Sequence, residues 1–325
     1  TALLNLQGLT KHLPKLLPMV REILTEANFP EQELELYQKS NNQRLDVNLK
    51  KSDFVANRLI DEKLYGFDHP YGRYSRHEDL NAIRRAELLA FYDQYYRQGR
   101  CMIFVAGKLP ADIFAQLEAA FGDLPIHGNS VIKTEHAIVP AIEKKYRIDN
   151  DPQGIQGAIR LARPFPNRHH PDFFGAQVLN NIFGGFFGSR LMANIREDKG
   201  YTYGIYSYLQ NHRQSSAWMV STEAGRDVCE AAIKEVYQEM ERLRNEPVDA
   251  DELMLVRNYI MGSLLGDLDG PFQIIGRWKN LILNELDVSH FYNSIECIKT
   301  ISPESLQALA NKYLVPAAFY EMVVV

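Results

Sequence analysis

Apolar residues recur at helical spacing in three stretches of the first part of the chain. In residues 9–26 the apolar positions fall on one face of a helix, made by Leu13, Leu16, Leu17 and Val20. Residues 29–51 predict a second long helix, because acidic residues crowd its start. Residues 112–121 predict a third. This part of the chain is therefore expected to be mainly helical.

The second part of the chain opens with strand-like patterns and then turns helical. The expected strands are "KYRID", "QGAIRLARP", "SSAWMVSTEAG" and the C-terminal "AFYEMVVV". Helices are expected over residues 171–182 and 249–265, and the second has its apolar face at Leu253, Val256, Ile260 and Leu264. This order predicts an α+β fold with helices on one face of a sheet.

The chain also shows a weak internal repeat. Residues 83–107 and 301–325 match at a constant offset, and each reads as a short amphipathic helix followed by an apolar strand. The repeat predicts a first domain over 1–126, a linker over 127–143 and a complete second domain over 144–325. By the same offset, the first domain would begin about seventy residues before Thr1.

Composition and charge exclude some classes of function. The 325 residues are 46% hydrophobic with a net charge of −5, which is typical of a globular protein without a nucleic-acid-binding surface. The sequence has no apolar run of the roughly 20 residues that a membrane span requires. Three separated cysteines predict no disulfide framework, and Cys101 is expected to be a core residue. The cysteine content is compatible with the cytoplasm and with the periplasm.

The stretch 184–208, "GGFFGSRLMANIREDKGYTYGIYSY", combines a glycine bend, a short helix and a tyrosine-rich strand. Ser189 is expected to cap the helix, and Gly200 is expected to end it. Strict alternation would place Tyr203 on the same strand face as Ile205.

Arg196 lies in the last turn of this helix, from which the bend can bring it close to Tyr203. A guanidinium beside a phenol can hold a peptide carbonyl and stabilise an oxyanion formed from it. From chemistry alone, the alternative is a solvated helix arginine beside half-buried strand tyrosines. A phosphate loop is disfavoured, because "GFFGSR" departs from the GxxxxGK[ST] pattern.

These residues resemble the C-terminal domain of the M16 zinc peptidases, the family of pitrilysin, insulin-degrading enzyme and mitochondrial processing peptidase. The resemblance extends to the first part of the chain through "LPKLLPMVREILTEANFPEQELE", "GFDHPYG" and "FVAGKLPADIFAQLEAAFGDLP". It implies two tandem M16-type (LuxS/metallohydrolase-like) domains with antiparallel-rich sheets, the first of them truncated. It also implies that Arg196 and Tyr203 grip the substrate backbone opposite a zinc site. Gly184 and Gly185 would allow close backbone approach, and the following strand could add substrate by edge pairing.

The zinc motif of that family, HxxEH, is absent from this sequence. Five of the nine histidines, in loops and turns, are expected to be structural or solvated: His69, His127, His136, His169 and His170. By the resemblance, the position of the third zinc ligand, a glutamate, falls on Arg44 or within one residue of it, on Gln43 or Leu45. The family's other helix glutamate falls on Tyr37, and no residue from Lys39 to Leu45 is acidic. A guanidinium has no lone pair for Zn²⁺. We therefore expect no zinc in this chain and place it on a partner chain or on residues before Thr1.

The leading hypothesis is a non-catalytic subunit that positions unfolded peptides for a partner bearing HxxEH. The first alternative is a fragment of an active M16 zinc endopeptidase whose HxxEH lies upstream of residue 1. The second alternative is a non-enzymatic structural core subunit.

Overall fold

The computed structural model describes residues 2–97, 101–124 and 135–325. The chain forms two compact units. The first comprises Thr1–Leu45, Ser75–Glu135 and Asp269–Lys279, and the second comprises Asp46–Tyr74, His136–Leu268 and Asn280–Val325. The domain boundaries expected from the repeat, 1–126, 127–143 and 144–325, stay a prediction.

The regular elements follow the chain in this order. The α-helices are α1 (Leu13–Thr25), α2 (Glu31–Leu49), α3 (Ser52–Tyr65), α4 (His77–Ala82), α5 (Arg85–Tyr92), α6 (Ile113–Phe121), α7 (Phe173–Asn180), α8 (Cys229–Asn245), α9 (Ala250–Gly266), α10 (Pro271–Leu283), α11 (Val288–Thr300) and α12 (Pro303–Tyr313). The strands are β1 (Lys145–Ile148), β2 (Gln156–Phe165), β3 (Thr202–Asn211), β4 (Ser216–Gly225) and β5 (Tyr320–Val324). In the described residues, π-helical turns span Asp93–Arg97, Asn181–Gly185 and Met192–Asp198, and 3₁₀ turns span Thr10–His12, Arg226–Val228 and Pro316–Ala318.

The first unit is helical, as the periodicity of residues 9–26, 29–51 and 112–121 predicts. Among its described residues, buried side chains come from α1, α2, α5 and α6: Leu17, Leu34, Leu45, Tyr92 and Ile113. Helix α1 packs on α6, and Arg21 of α1 donates to the carboxylate of Asp123 just beyond α6. The helical spacing of apolar positions therefore predicts α1, α2 and α6 correctly.

The apolar strand expected at the end of residues 83–107 is not formed in the described part of the chain, where residues 101–107 contain no strand. Cys101, expected in the core, is exposed. Ile103 is 50% exposed. A strand needs a neighbouring strand to satisfy its backbone groups, and no described strand pairs with this segment.

The second unit contains a mixed sheet whose described strands have the order β1-β5-β2-β4-β3. Strand β1 is parallel to β5, and the other neighbours are antiparallel. The central pair, β2 and β4, runs in unbroken register from Gln156↔Gly225 to Phe165↔Ser216. Strand β3 lies at the sheet edge, which is where the site described below is built.

Helices from the same half of the chain cover one face of this sheet, as expected. Their core includes Leu161, Trp218 and Ile205, each with 0% exposure. The opposite face carries a second core, in which α3 packs on β2 and β5. Arg160 of β2, only 4% exposed, donates from Nε to the Asn57 side-chain oxygen of α3 at 2.7 Å. The α+β class is confirmed, and α3 adds a cover to the face for which the sequence predicts none.

None of the helices in the described residues combines the length and the apolar character that a membrane crossing requires.

Candidate functional site

The glycine bend is held against the middle of β3 by buried polar groups. Helix α7 continues into the π-helical turn that contains Gly184. A Cβ atom on Gly184 would lie 2.8 Å from both the backbone nitrogen and the Cβ of Ser207 in β3. Asn180 donates to the Ser207 carbonyl at 3.0 Å, and the Ser207 hydroxyl donates back to Asn180 at 2.7 Å. Trp218 Nε1 donates to the Ser207 hydroxyl at 2.8 Å.

Packing within the second unit thus explains the glycine at position 184, because a side chain there would collide with β3. Gly184 is itself buried. A Cβ on Gly185 would lie 3.0 Å from the side-chain oxygen of Asn181. The expectation that Gly184 and Gly185 admit a substrate backbone stays a prediction.

The helix that carries Arg196 is fixed on its inner face. Leu191, Met192 and Ile195 are each at most 1% exposed. Asn194 donates to the carboxylate of Glu239, a buried residue of α8, at 2.7 Å. Gly200 has φ +66, the left-handed conformation expected of a glycine that ends a helix.

The expected capping role of Ser189 is wrong. Its side chain is 1% exposed, and its hydroxyl makes no hydrogen bond in the structure. The π-helical turn has Leu191 at its N-cap position instead, without a side-chain cap. The chain enters the helix through a turn in which the Ser189 amide donates to the Phe186 carbonyl at 3.1 Å, and the serine side chain is buried in the core.

The structure brings Arg196 and Tyr203 together. Arg196 Nε donates to the Tyr203 backbone carbonyl at 2.9 Å. The guanidinium carbon lies 5.8 Å from the centroid of the Tyr203 ring. The Arg196 side chain is 29% exposed, and its Nη1 lies 3.8 Å from the Glu197 carboxylate. Because Nε is used internally, the terminal nitrogens are the donors that remain for a bound peptide.

Strand β3 departs from strict alternation at Tyr203, so the predicted shared face with Ile205 is wrong. Thr202 pairs with Ala224 while Ile205 pairs with Thr222, which inserts one extra residue into β3. Such a bulge re-aims the side chains around it. Tyr203 is consequently 93% exposed, whereas Ile205 is buried.

Two threonines stabilise the bulge. Thr202 accepts from the Gly204 amide at 3.1 Å and donates to the Glu223 carbonyl at 2.6 Å. The Thr222 hydroxyl donates to the Gly204 carbonyl at 2.9 Å. These bonds satisfy backbone groups that the bulge removes from the regular ladder, and so they hold Tyr203 outward.

Substrate addition along the middle of β3 is not supported by the contacts of that strand. The Ile205 amide lies 3.4 Å from the sulfur of Met192, and the Ser207 carbonyl accepts from Asn180. The Leu209 carbonyl accepts from the Asn211 side chain at 2.9 Å. Side chains of this chain already engage these backbone groups, as is typical of a protected sheet edge.

Sequence reasoning missed Phe187 as a neighbour of Arg196. Its ring centroid lies 4.6 Å from the Arg196 guanidinium carbon, and the side chain is 59% exposed. The only signal in the sequence is an aromatic pair inside a glycine-rich bend, which does not by itself indicate which ring faces the arginine.

The position that the resemblance assigns to a zinc ligand does not fit a metal. Arg44 and Tyr37 both lie on exposed positions of α2. A guanidinium offers no lone pair to Zn²⁺, so Arg44 cannot replace a glutamate ligand. The described residues contain no group of three His, Cys, Asp or Glu side chains arranged to hold a metal ion. Of the histidines, His127 lies outside the described residues, and His69 is buried against Tyr65 and Tyr71.

Comparison with known proteins identifies the family. Residues 82–259 match the family model described as the peptidase M16 inactive domain. The chain is 23% identical over 295 residues to the uncharacterized zinc protease YmxG of Bacillus subtilis, covering 86% of this chain and 70% of that protein. It is 25% identical over 275 residues to an uncharacterized zinc protease of Rickettsia felis, covering 79% of this chain and 61% of that protein.

A solved structure shows the same fold. The peptidase M16 inactive domain from Pseudomonas fluorescens superposes with a TM-score of 0.84 at 24% identity, covering 95% of this chain and 74% of that one. The chain thus spans roughly 60–70% of the length of the two bacterial zinc proteases. Since the family model covers more than half of the 325 residues, the chain belongs to the peptidase M16 family through its inactive domain.

Proposed function

We propose that this chain is a non-catalytic subunit that positions unfolded peptides for an HxxEH-bearing M16 partner. The observation that carries the proposal is the exposed pairing of Arg196 with Tyr203. Arg196 is anchored through Nε, which leaves its terminal N–H groups for a peptide carbonyl. Tyr203 is 93% exposed beside it and offers a phenolic O–H.

The site of this chain supplies geometry and charge. A guanidinium held in place before substrate arrives loses little conformational freedom on binding, so the bound carbonyl is oriented without added entropic cost. As charge develops on the carbonyl oxygen, the same N–H donors stabilise it more strongly. The partner's zinc would supply the activated water, since Arg44 excludes the corresponding ligand here.

A second candidate is an active zinc endopeptidase whose HxxEH precedes residue 1. The names of the two bacterial relatives, both called zinc proteases, favour it. Arg44 opposes it, because a complete chain of this sequence would still lack an acidic ligand at that helix position.

Zinc analysis of the purified full-length protein separates the two candidates. The subunit hypothesis predicts no stoichiometric zinc and no cleavage of an unfolded peptide by the protein alone. It also predicts chelator-sensitive cleavage once an HxxEH-bearing M16 protein of the same organism is added, at a rate above that of the added protein alone. One zinc per chain together with cleavage by the protein alone would instead support the second candidate.

A further inference from the structure

Phe187 is an apolar side chain that is 59% exposed and lies next to a charged group. Its ring lies 4.6 Å from the Arg196 guanidinium carbon, closer than the 5.8 Å separation of Tyr203. The two rings thus flank one guanidinium. A cation over an aromatic face within about 6 Å is attracted by the ring quadrupole.

The turn that presents Phe187 is itself anchored. The neighbouring Phe186 stacks on Tyr259 of α9, with ring centroids 4.5 Å apart. A Cβ on Gly188 would lie 2.8 Å from the Phe186 ring, so the residue that follows Phe187 also packs closely against Phe186. Phe187 is therefore held by its neighbours and does not depend on its own burial.

Arg196 has a second neighbour, the carboxylate of Glu197, which lies 3.8 Å from Nη1 while Nε bonds the Tyr203 carbonyl, and which is 50% exposed. Exposed ion pairs and exposed cation–π contacts have similar, modest strengths. An aromatic ring over the guanidinium is thus strong enough to influence whether Arg196 stays on the Tyr203 carbonyl or turns toward Glu197.

We propose that Phe187 is a positioning residue, which holds the Arg196 guanidinium on the Tyr203 carbonyl with its terminal nitrogens available to a peptide. The catalytic consequence of this role rests on the proposed function, but the contact itself does not. The ring acts through its π face, so an aromatic replacement should preserve the role and an aliphatic one of similar size should not.

The first test measures peptide cleavage by the full-length protein together with its HxxEH-bearing partner, using a quenched fluorogenic unfolded peptide. Phe187→Leu should lower kcat/KM by about 2- to 5-fold, and Phe187→Tyr should keep kcat/KM near the wild-type value. In an Arg196→Ala background, Phe187→Leu should have no further effect. An equal loss in that background would overturn the proposal and make Phe187 a direct substrate contact.

The second test needs no activity. In the full-length protein with ¹⁵N-labelled arginine, the exchange of the Arg196 Nε–H with water is measured by NMR. Phe187→Leu should accelerate it by about 2- to 5-fold, and Phe187→Tyr should leave it near the wild-type rate. Unchanged exchange in Phe187→Leu would overturn the positioning role. If Arg196→Ala leaves cleavage unaltered while Phe187→Leu changes the exchange, the proposed function fails and the positioning role stands.

Discussion

The start and the middle of β3 differ in what their residues contact. In the middle, Ser207 is 2% exposed and is bonded to both Asn180 and Trp218. At the start, a bulge leaves Tyr203 93% exposed beside Arg196. Within one strand, a buried and hydrogen-bonded position, Ser207, thus lies only a few residues from the exposed Tyr203, which lies beside Arg196.

This difference explains how the Arg196–Tyr203 site can be rigid and still exposed to a ligand. The middle of β3 fixes the strand against the glycine bend, so the bulged start needs no burial of its own to stay in place. Mutations in the middle should therefore affect stability, and mutations at the start should affect function alone. Preorganised sites are generally supported in this way by rigid neighbouring elements.

Gly184→Ala should have the largest effect on stability, because its new Cβ would lie 2.8 Å from the Ser207 backbone nitrogen. We expect the free energy of unfolding in urea to fall by about 2–4 kcal/mol. Gly262→Ala is the matched control: nothing lies within 4 Å of that position in α9, so this helix substitution should stabilise by up to about 1 kcal/mol. Equal stability of the two variants would contradict the close approach at the bend.

Asn180→Ala should have the next largest effect. It would leave the Ser207 carbonyl without its side-chain donor and the Ser207 hydroxyl without its acceptor, both in the core. We expect a loss of about 2–3 kcal/mol in urea unfolding. The neighbouring Asn181 donates only within its own helical turn, to the Gln177 carbonyl, so Asn181→Ala should lose less than about 1 kcal/mol. A similar loss of stability in Asn180→Ala and Asn181→Ala would show that the hydrogen bonds between Asn180 and Ser207 do not anchor β3.

The far end of β3 should show a smaller effect that depends on pH. Burial raises the pKa of Asp61 from 3.8 to about 6, and Gln210 of β3 donates to Asp61 at 3.4 Å. The folded state thus binds this proton more tightly than the unfolded state, so the contribution of Asp61 to stability falls as pH rises from about 4 to about 6.

Asp61→Asn removes this dependence. Between pH 4 and pH 7.5, the stability of the wild type relative to Asp61→Asn should fall by about 1–3 kcal/mol, measured by urea unfolding at each pH. His69 and His212, whose pKa values burial lowers, contribute in the opposite direction in both proteins and cancel in the difference. A difference that stays constant with pH would show that the pKa of Asp61 is the same in the folded and the unfolded state.

The smallest effect on stability is expected at the open start of β3. Tyr203→Ala should change the free energy of unfolding by less than about 0.5 kcal/mol, because the side chain is 93% exposed. Tyr206, at 52% exposure, offers a comparison on the same strand, and its ring covers Gly204, so Tyr206→Ala should cost more. A large loss from Tyr203→Ala would remove the distinction between the two regions.

Local patterns predicted much of the fold. Helical spacing anticipated α1, α2 and α9, and the apolar runs anticipated β2, β4 and β5. The pairing of Arg196 with the start of β3 followed from the positions of Gly184 and Gly200. These features depend on residues close in sequence, whose periodicity is visible without knowledge of distant contacts.

The incorrect predictions concern features that depend on contacts between residues far apart in the sequence. The exposure of Tyr203 depends on a bulge that Thr222 of another strand stabilises. The cover that α3 gives to the second sheet face depends on Asn57 meeting Arg160, which are 103 positions apart. The segment at Cys101 has an apolar pattern but no strand partner among the described residues. The pattern of apolar residues in a segment does not determine which distant segment it pairs with or packs against.

The most direct test of the central claim is peptide cleavage by an HxxEH-bearing M16 partner mixed with full-length wild-type or Arg196→Lys protein. Lysine keeps the charge but loses the planar array of N–H donors. We expect kcat/KM to fall by about 10-fold or more, with assembly and urea stability unchanged. Equal cleavage with both proteins, at equal assembly, would contradict the role of Arg196 in holding the substrate.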